Sequence, residues 1–128
     1  MKCICCNREF SVKKTKGGQN RLICYDCMPE TSSKRDRNRR RRDCLRIASE
    51  NLKESIGCSK CGYNTYGIAL DWHHIEPHDK EANPAKQLQK SWSSYLKEIE
   101  KCVLLCSNCH REYHYLEREK GISITDFL

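Results

Sequence analysis

Four Cys-x2-Cys pairs constrain this chain more than any hydrophobic pattern in it: Cys3/Cys6, Cys24/Cys27, Cys58/Cys61 and Cys106/Cys109. Each pair can turn back a short loop so that two thiolates face one tetrahedral ion at about 2.3 Å. The spacing predicts two structural zinc ions, one on Cys3, Cys6, Cys24 and Cys27, the other on Cys58, Cys61, Cys106 and Cys109. Redox or reactive thiols are the competing use of such pairs. Staples of this kind suit the composition. With 128 residues, 38% hydrophobic and 32% charged, apolar burial alone is a weak source of stability. The odd number of cysteines, eleven, argues against a fully paired disulfide framework. No apolar run approaches the roughly 20 residues of a membrane span, and the N-terminus lacks the apolar core of a secretory signal. A reducing cytoplasm is the expected compartment, with no membrane partner.

Three segments follow from this punctuation. Residues 1–31 read as a miniature zinc ribbon, with short strands at Glu-Phe-Ser-Val and Arg-Leu-Ile-Cys-Tyr and a hairpin turn at Lys16-Gly17-Gly18-Gln19-Asn20. Cys5 is left over and can stand in for Cys3 or Cys6. Residues 32–56 contain neither Gly nor Pro, begin at Ser32 and Ser33 as N-cap candidates and stop at Gly57, which predicts a basic linking helix. Leu45, Ala48, Leu52 and Ile56 give its C-terminal half an apolar stripe. Its N-terminal half is a charged arm, partly free until nucleic acid neutralises it. The net charge of +7 concentrates there: Lys34, Arg35, Arg37, Arg39, Arg40, Arg41, Arg42 and Arg46 face only Asp36 and Asp43. Such a run points to a polyanion, or else to a solvated helix face.

Residues 57–128 carry the chemistry. After the knuckle Cys58–Cys61, Ile68 to Ile75 reads as a strand with Ile68, Leu70 and Trp72 on one face and Ala69, Asp71 and His73 on the other. Residues 78–91 read as polar and irregular, with His78 on the surface. A short helix from Trp92 to Cys102 is expected with Trp92, Tyr95, Leu96 and Ile99 on one side, and Val103 to Leu105 returns to the core. Cys44 and Cys102 are expected as buried helix residues that ligate nothing. The second knuckle runs into a helix on which His110 and His114 stand at i and i+4, where both can reach one ion.

The order Cys58-x-x-Cys61, Leu70-Asp71-Trp72-His73-His74-Ile75 and Glu98-Ile99-Glu100-Lys101-Cys102-Val103-Leu104-Leu105-Cys106-x-x-Cys109-His110-Arg111-Glu112-x-His114 resembles the zinc-containing HNH endonucleases, many carried by bacteriophages. The likeness covers about residues 58–116. The ribbon and Arg-rich helix ahead of it are similar to the N-terminal extension of some small members. The resemblance implies a small α+β, zinc-stabilised fold with a ββα-metal HNH domain, and hydrolysis of DNA phosphodiesters with one catalytic divalent ion, Mg²⁺, Mn²⁺, Ni²⁺ or Zn²⁺. For a phage-encoded protein the compartment becomes the host cytoplasm. Carried over by position, His74 matches the general base, His73 and His110 match metal ligands, and His114 matches the further ligand of some members. The family's middle Asn falls on Lys101, a departure that concerns the bracing of the loop that carries the base. Asp71 is an alternative ligand or an orienting partner for an imidazole.

Physical chemistry favours the same division. A neutral imidazole, with an unperturbed pKa of about 6.5, can take a proton from water near neutrality, and a divalent ion can offset charge on the phosphate. Neighbouring strand residues point to opposite sides, so His73 can face the ion while His74 faces the attacking water. Arg39, Arg40, Arg41, Arg42 and Arg111 are candidate DNA contacts, although an exposed helix Arg is the plain reading of Arg111. A purely structural histidine-bound ion is the bland alternative at the site, and a noncatalytic zinc-dependent nucleic-acid-binding module, regulatory in role, is the alternative function. A monomer or weak dimer is expected.

Overall fold

Leu70–His74 alternates apolar Leu70 and Trp72 with polar Asp71 and His73, and Cys102–Cys106 is an apolar run too short for a helix; the two form the sheet at the centre of the C-terminal part. The computed structural model describes residues 1–13, 21–79 and 83–128. Along these, the order is α1 (Lys34–Ile56), β1 (Leu70–His74), α2 (Pro84–Lys90), α3 (Trp92–Ile99), β2 (Cys102–Cys106), α4 (Ser107–Lys120) and α5 (Ile124–Phe127). It is a small α+β fold. The chain divides into two units, Met1–Ala48 and Ser49–Leu128, and the division falls inside α1.

In the first unit the knuckles dominate. Asn7 N–H closes the first turn on the Cys3 carbonyl at 2.9 Å, and Met28 N–H closes the second on Cys24 at 3.0 Å. Asn7 takes φ 61° to do so, a left-handed conformation Asn tolerates better than most residues. The two strands expected of a ribbon do not form among the described residues; a single bridge, Lys2 to Glu9, and the Ile4 N–H to Leu22 carbonyl bond tie the backbone instead. The turn closed by Met28 N–H on the Cys24 carbonyl begins inside the second expected strand and cuts it short. The expected hairpin turn at 16–20 lies outside the described residues. Cys44 of α1 is buried with Cys3, Ile23 and Cys24.

Helix α1 begins where the sequence puts its cap: Ser33 Oγ accepts from Asp36 N–H at 3.2 Å. It is one continuous helix, charged half included. Leu45 and Ala48 are buried, whereas Ile56 at the end of the expected stripe is 55% exposed.

In the second unit β1 and β2 pair antiparallel, with Leu70 opposite Cys106, Trp72 opposite Leu104, His73 opposite Val103 and His74 opposite Cys102. Leu70, Leu104 and Leu105 are fully buried among Cys58, Cys109, Tyr113, Ile124 and Phe127. The strand is shorter than expected because Gly67–Ala69 forms a 3-10 turn, which leaves Ile68 79% exposed. That turn requires Gly67: a Cβ there would sit 2.4 Å from the Glu50 carbonyl oxygen.

Helix α2 occupies residues expected to be irregular, with Asn83 Oδ1 accepting from Ala85 N–H and Pro84 at the first helical turn. Helix α3 buries Tyr95 and Glu98, not Leu96. Cys102 belongs to β2 and is half-buried, so it is not a helix residue. At its N-terminus α4 is capped by the Cys106 thiol, and at its C-terminus by Gly121 at φ 64°.

Candidate metal centre

Two groups of four cysteines gather as the pairing rule requires: Cys3, Cys6, Cys24 and Cys27, and Cys58, Cys61, Cys106 and Cys109. None is in a disulfide. The sulfurs of Cys6 and Cys24, and of Cys61 and Cys106, stand 3.7 Å apart. Two sulfurs at about 2.3 Å from one tetrahedral ion lie about 3.8 Å apart, so the spacing fits zinc. Burial of the Cys58 thiol opposes ionisation, but the backbone N–H groups of Cys61, Cys106 and Lys60 outweigh it and pull the pKa down to about 6. Cys109 goes the other way: burial first, then its neighbouring thiols, push it far up. Four sulfurs this close cannot all be thiolates without a cation among them. Each cluster can therefore hold a structural zinc ion. Cys5 and Cys102 belong to neither four-cysteine group.

A third group, His73, His110 and His114, brings three ring nitrogens within 4.8 Å of one another. Period-two alternation puts His73 on the face of β1 that looks at α4, and one helical turn stacks His114 over His110. The ring of His73 lies 5.3 Å from that of His110 and 5.2 Å from that of His114. Two carboxylates settle the ring orientations. His110 Nδ1 is 3.3 Å from Asp71 Oδ2, and His114 Nδ1 is 3.2 Å from Glu117 Oε2. With each Nδ1 donating to a carboxylate, each Nε2 keeps its lone pair, and the two Nε2 atoms meet at 3.0 Å. Two facing lone pairs repel unless a proton or a cation lies between them, so the donor set fits a metal ion. Burial first, and then His110 and His114, lower the pKa of His73, which favours the neutral form a metal requires. Asp71 thus occupies the orienting position of its two expected roles.

His74 points to the opposite side of β1. Its Nε2 is 2.8 Å from Glu98 Oε1, a carboxylate whose side chain is 3% exposed, and Glu98 Oε2 receives Lys101 Nζ at 3.3 Å. The Lys101 carbonyl also accepts from Ile75 N–H at 3.1 Å. Lys101 therefore ties down the residue after His74 by its backbone and reaches Glu98 by its side chain. A scan against protein-family models matches none, and searches of curated proteins and of solved structures return no match.

The remaining candidates sit as follows. Arg111 is exposed on α4, one residue after His110. Arg39, Arg40 and Arg42 are exposed on α1, Arg41 is partly covered, and Arg39 pairs with Asp36 at 3.1 Å. His78 is exposed beside Glu76 at 3.7 Å, away from the histidine group, as expected. Sequence reasoning missed Glu98 and Glu117. Glu117 carried a signal, being three residues after His114 on one helix. Glu98 carried none, because an acidic residue in an amphipathic helix such as Trp92–Ile99 reads as solvent-facing. Among the described residues no helix is long and apolar enough to cross a membrane.

Proposed function

We propose that this chain is a metal-dependent endonuclease of the HNH, ββα-metal kind that hydrolyses DNA phosphodiester bonds and carries two structural zinc ions. The observation that carries the reading is the convergence of His110 Nε2 and His114 Nε2 at 3.0 Å beside His73, each helix histidine held by its own carboxylate. A structural site in this unit needs no such group, since Cys58, Cys61, Cys106 and Cys109 already complete one. His73, His110 and His114 would hold a divalent ion, which would supply positive charge against the scissile phosphate and the departing oxygen.

The chain's own residues do the rest. His74, anchored through Nε2, uses Nδ1 to take the proton of the water that attacks phosphorus. Arg111, exposed beside His110, holds a neighbouring phosphate. Arg39, Arg40, Arg41 and Arg42 add sequence-independent affinity for the backbone.

The exposed arginines of α1 equally suit a noncatalytic DNA-binding module, and one experiment separates the two. Supercoiled plasmid is incubated with the zinc-loaded protein and Mg²⁺, Mn²⁺ or Ni²⁺, with and without chelator. Nicked or linear product that needs the added ion supports the nuclease. Plasmid retarded on a gel but intact with every ion supports the binding module.

A further inference from the structure

We infer that Glu98 is the positioning residue for His74, fixing both its orientation and the ring nitrogen that carries its proton, with Lys101 holding the carboxylate in place; the inference rests on His74 being the base. Glu98 lies on the buried face of α3 beside Tyr95. A carboxylate 3% exposed is costly to bury unless both oxygens find donors. They do: Oε1 is 2.8 Å from His74 Nε2 and Oε2 is 3.3 Å from Lys101 Nζ. With a lysine ammonium on one oxygen, the other serves as an acceptor, so His74 Nε2 must donate. A neutral imidazole has one ring proton. Its lone pair is then on Nδ1, the nitrogen turned from Glu98 and the one a base needs.

Packing alone does not require this arrangement. The contact of α3 with β1 is already made by Trp72 Nε1 donating to Tyr95 OH at 2.7 Å. The Ile75 N–H to Lys101 carbonyl bond already holds the chain after His74 against the turn before β2. Glu98 adds the choice of tautomer, which neither contact can make.

Glu98→Gln tests it at constant shape. An amide has one oxygen and one NH₂. Lys101 Nζ, a donor only, takes the oxygen, which turns the NH₂ towards His74 Nε2 and moves the ring proton to Nδ1. Long-range ¹H–¹⁵N spectra of the zinc-loaded full chain read which His74 nitrogen is protonated, and single-turnover cleavage at saturating divalent ion reads the consequence. The parent should be protonated on Nε2. Glu98→Gln should be protonated on Nδ1 and cleave roughly 10²–10⁴-fold more slowly, with zinc content and DNA affinity unchanged. Adding Lys101→Met to Glu98→Gln removes the competing donor, and should return the proton to Nε2 and part of the rate.

A parent protonated on Nδ1 overturns the inference by itself, whether or not the variants fold. So does a Glu98→Gln protein that keeps its proton on Nε2 and cleaves at the parent rate. If no form cleaves but Glu98→Gln still moves the proton, the assignment of Glu98 stands and the nuclease reading fails.

Discussion

At the scale of single residues, a carboxylate stands behind each of the two helix histidines. Asp71 and Glu117 each hold one Nδ1 at 3.3 and 3.2 Å, and without them either ring can turn its proton inward. Asp71→Ala and Glu117→Ala should each weaken the divalent ion by roughly 10–100-fold while leaving both cysteine-bound zinc ions in place, measured by calorimetry on zinc-loaded protein. Unchanged affinity in both would mean that the rings are set by something else. His73 also gives a pH dependence. Burial, reinforced by His110 and His114, holds its folded pKa below the ordinary histidine value. Its contribution to stability is therefore complete above the unfolded value of about 6.5. It is lost as pH falls from there through the folded pKa, because the unfolded chain accepts a proton that the folded one resists. Urea midpoints across that window should fall more steeply for the parent than for His73→Gln, and equal slopes would refute the sign.

At the scale of elements, α1 and α2 make separate predictions. Replacing Arg39, Arg40, Arg41 and Arg42 by Gln should flatten the slope of log affinity against log salt by up to about 3.6 for all DNA sequences alike. An unchanged slope would reduce the run to a solvated face. Asn83→Ala should cost about 1 kcal/mol through the lost cap on α2, read from the urea midpoint.

What was legible in the sequence follows from range. Cap chemistry is local, so Ser33 and Gly57 bounded α1 correctly within two residues. The Asn83-Pro84 pair carried the same kind of signal for α2, and its polar surroundings hid it. Strand limits depend on distant partners: Ile68 fits the alternation of β1, but Gly67 is pressed against the Glu50 backbone and turns the chain out. The three-histidine group was readable because two members share one helix face, and the resemblance, not alternation, implied which of the adjacent His73 and His74 joins them. Glu98 was not, since its burial depends on His74, 24 residues away, and on the ladder that pairs His74 with Cys102, just after α3.

At the scale of the whole molecule, two four-cysteine clusters serve a chain with little apolar core of its own. The purified reduced protein should carry two tightly held zinc ions, and metal analysis that finds one or none would contradict this. Cys106→Ser should lose structure and activity together, because Cys106 is at once a cluster sulfur, the end of β2 and the cap of α4. The central claim is that one divalent ion on His73, His110 and His114 works with a base, His74, that does not hold it. Cleavage rate against divalent-ion concentration, compared among parent, His110→Ala and His74→Ala, tests that claim most directly. His110→Ala should shift the midpoint to higher ion and regain part of its rate at saturation. His74→Ala should keep the midpoint while its plateau falls by roughly 10²–10⁴-fold. A parent that cleaves with no ion concentration, or a His74→Ala curve that overlays the parent's, would contradict the account.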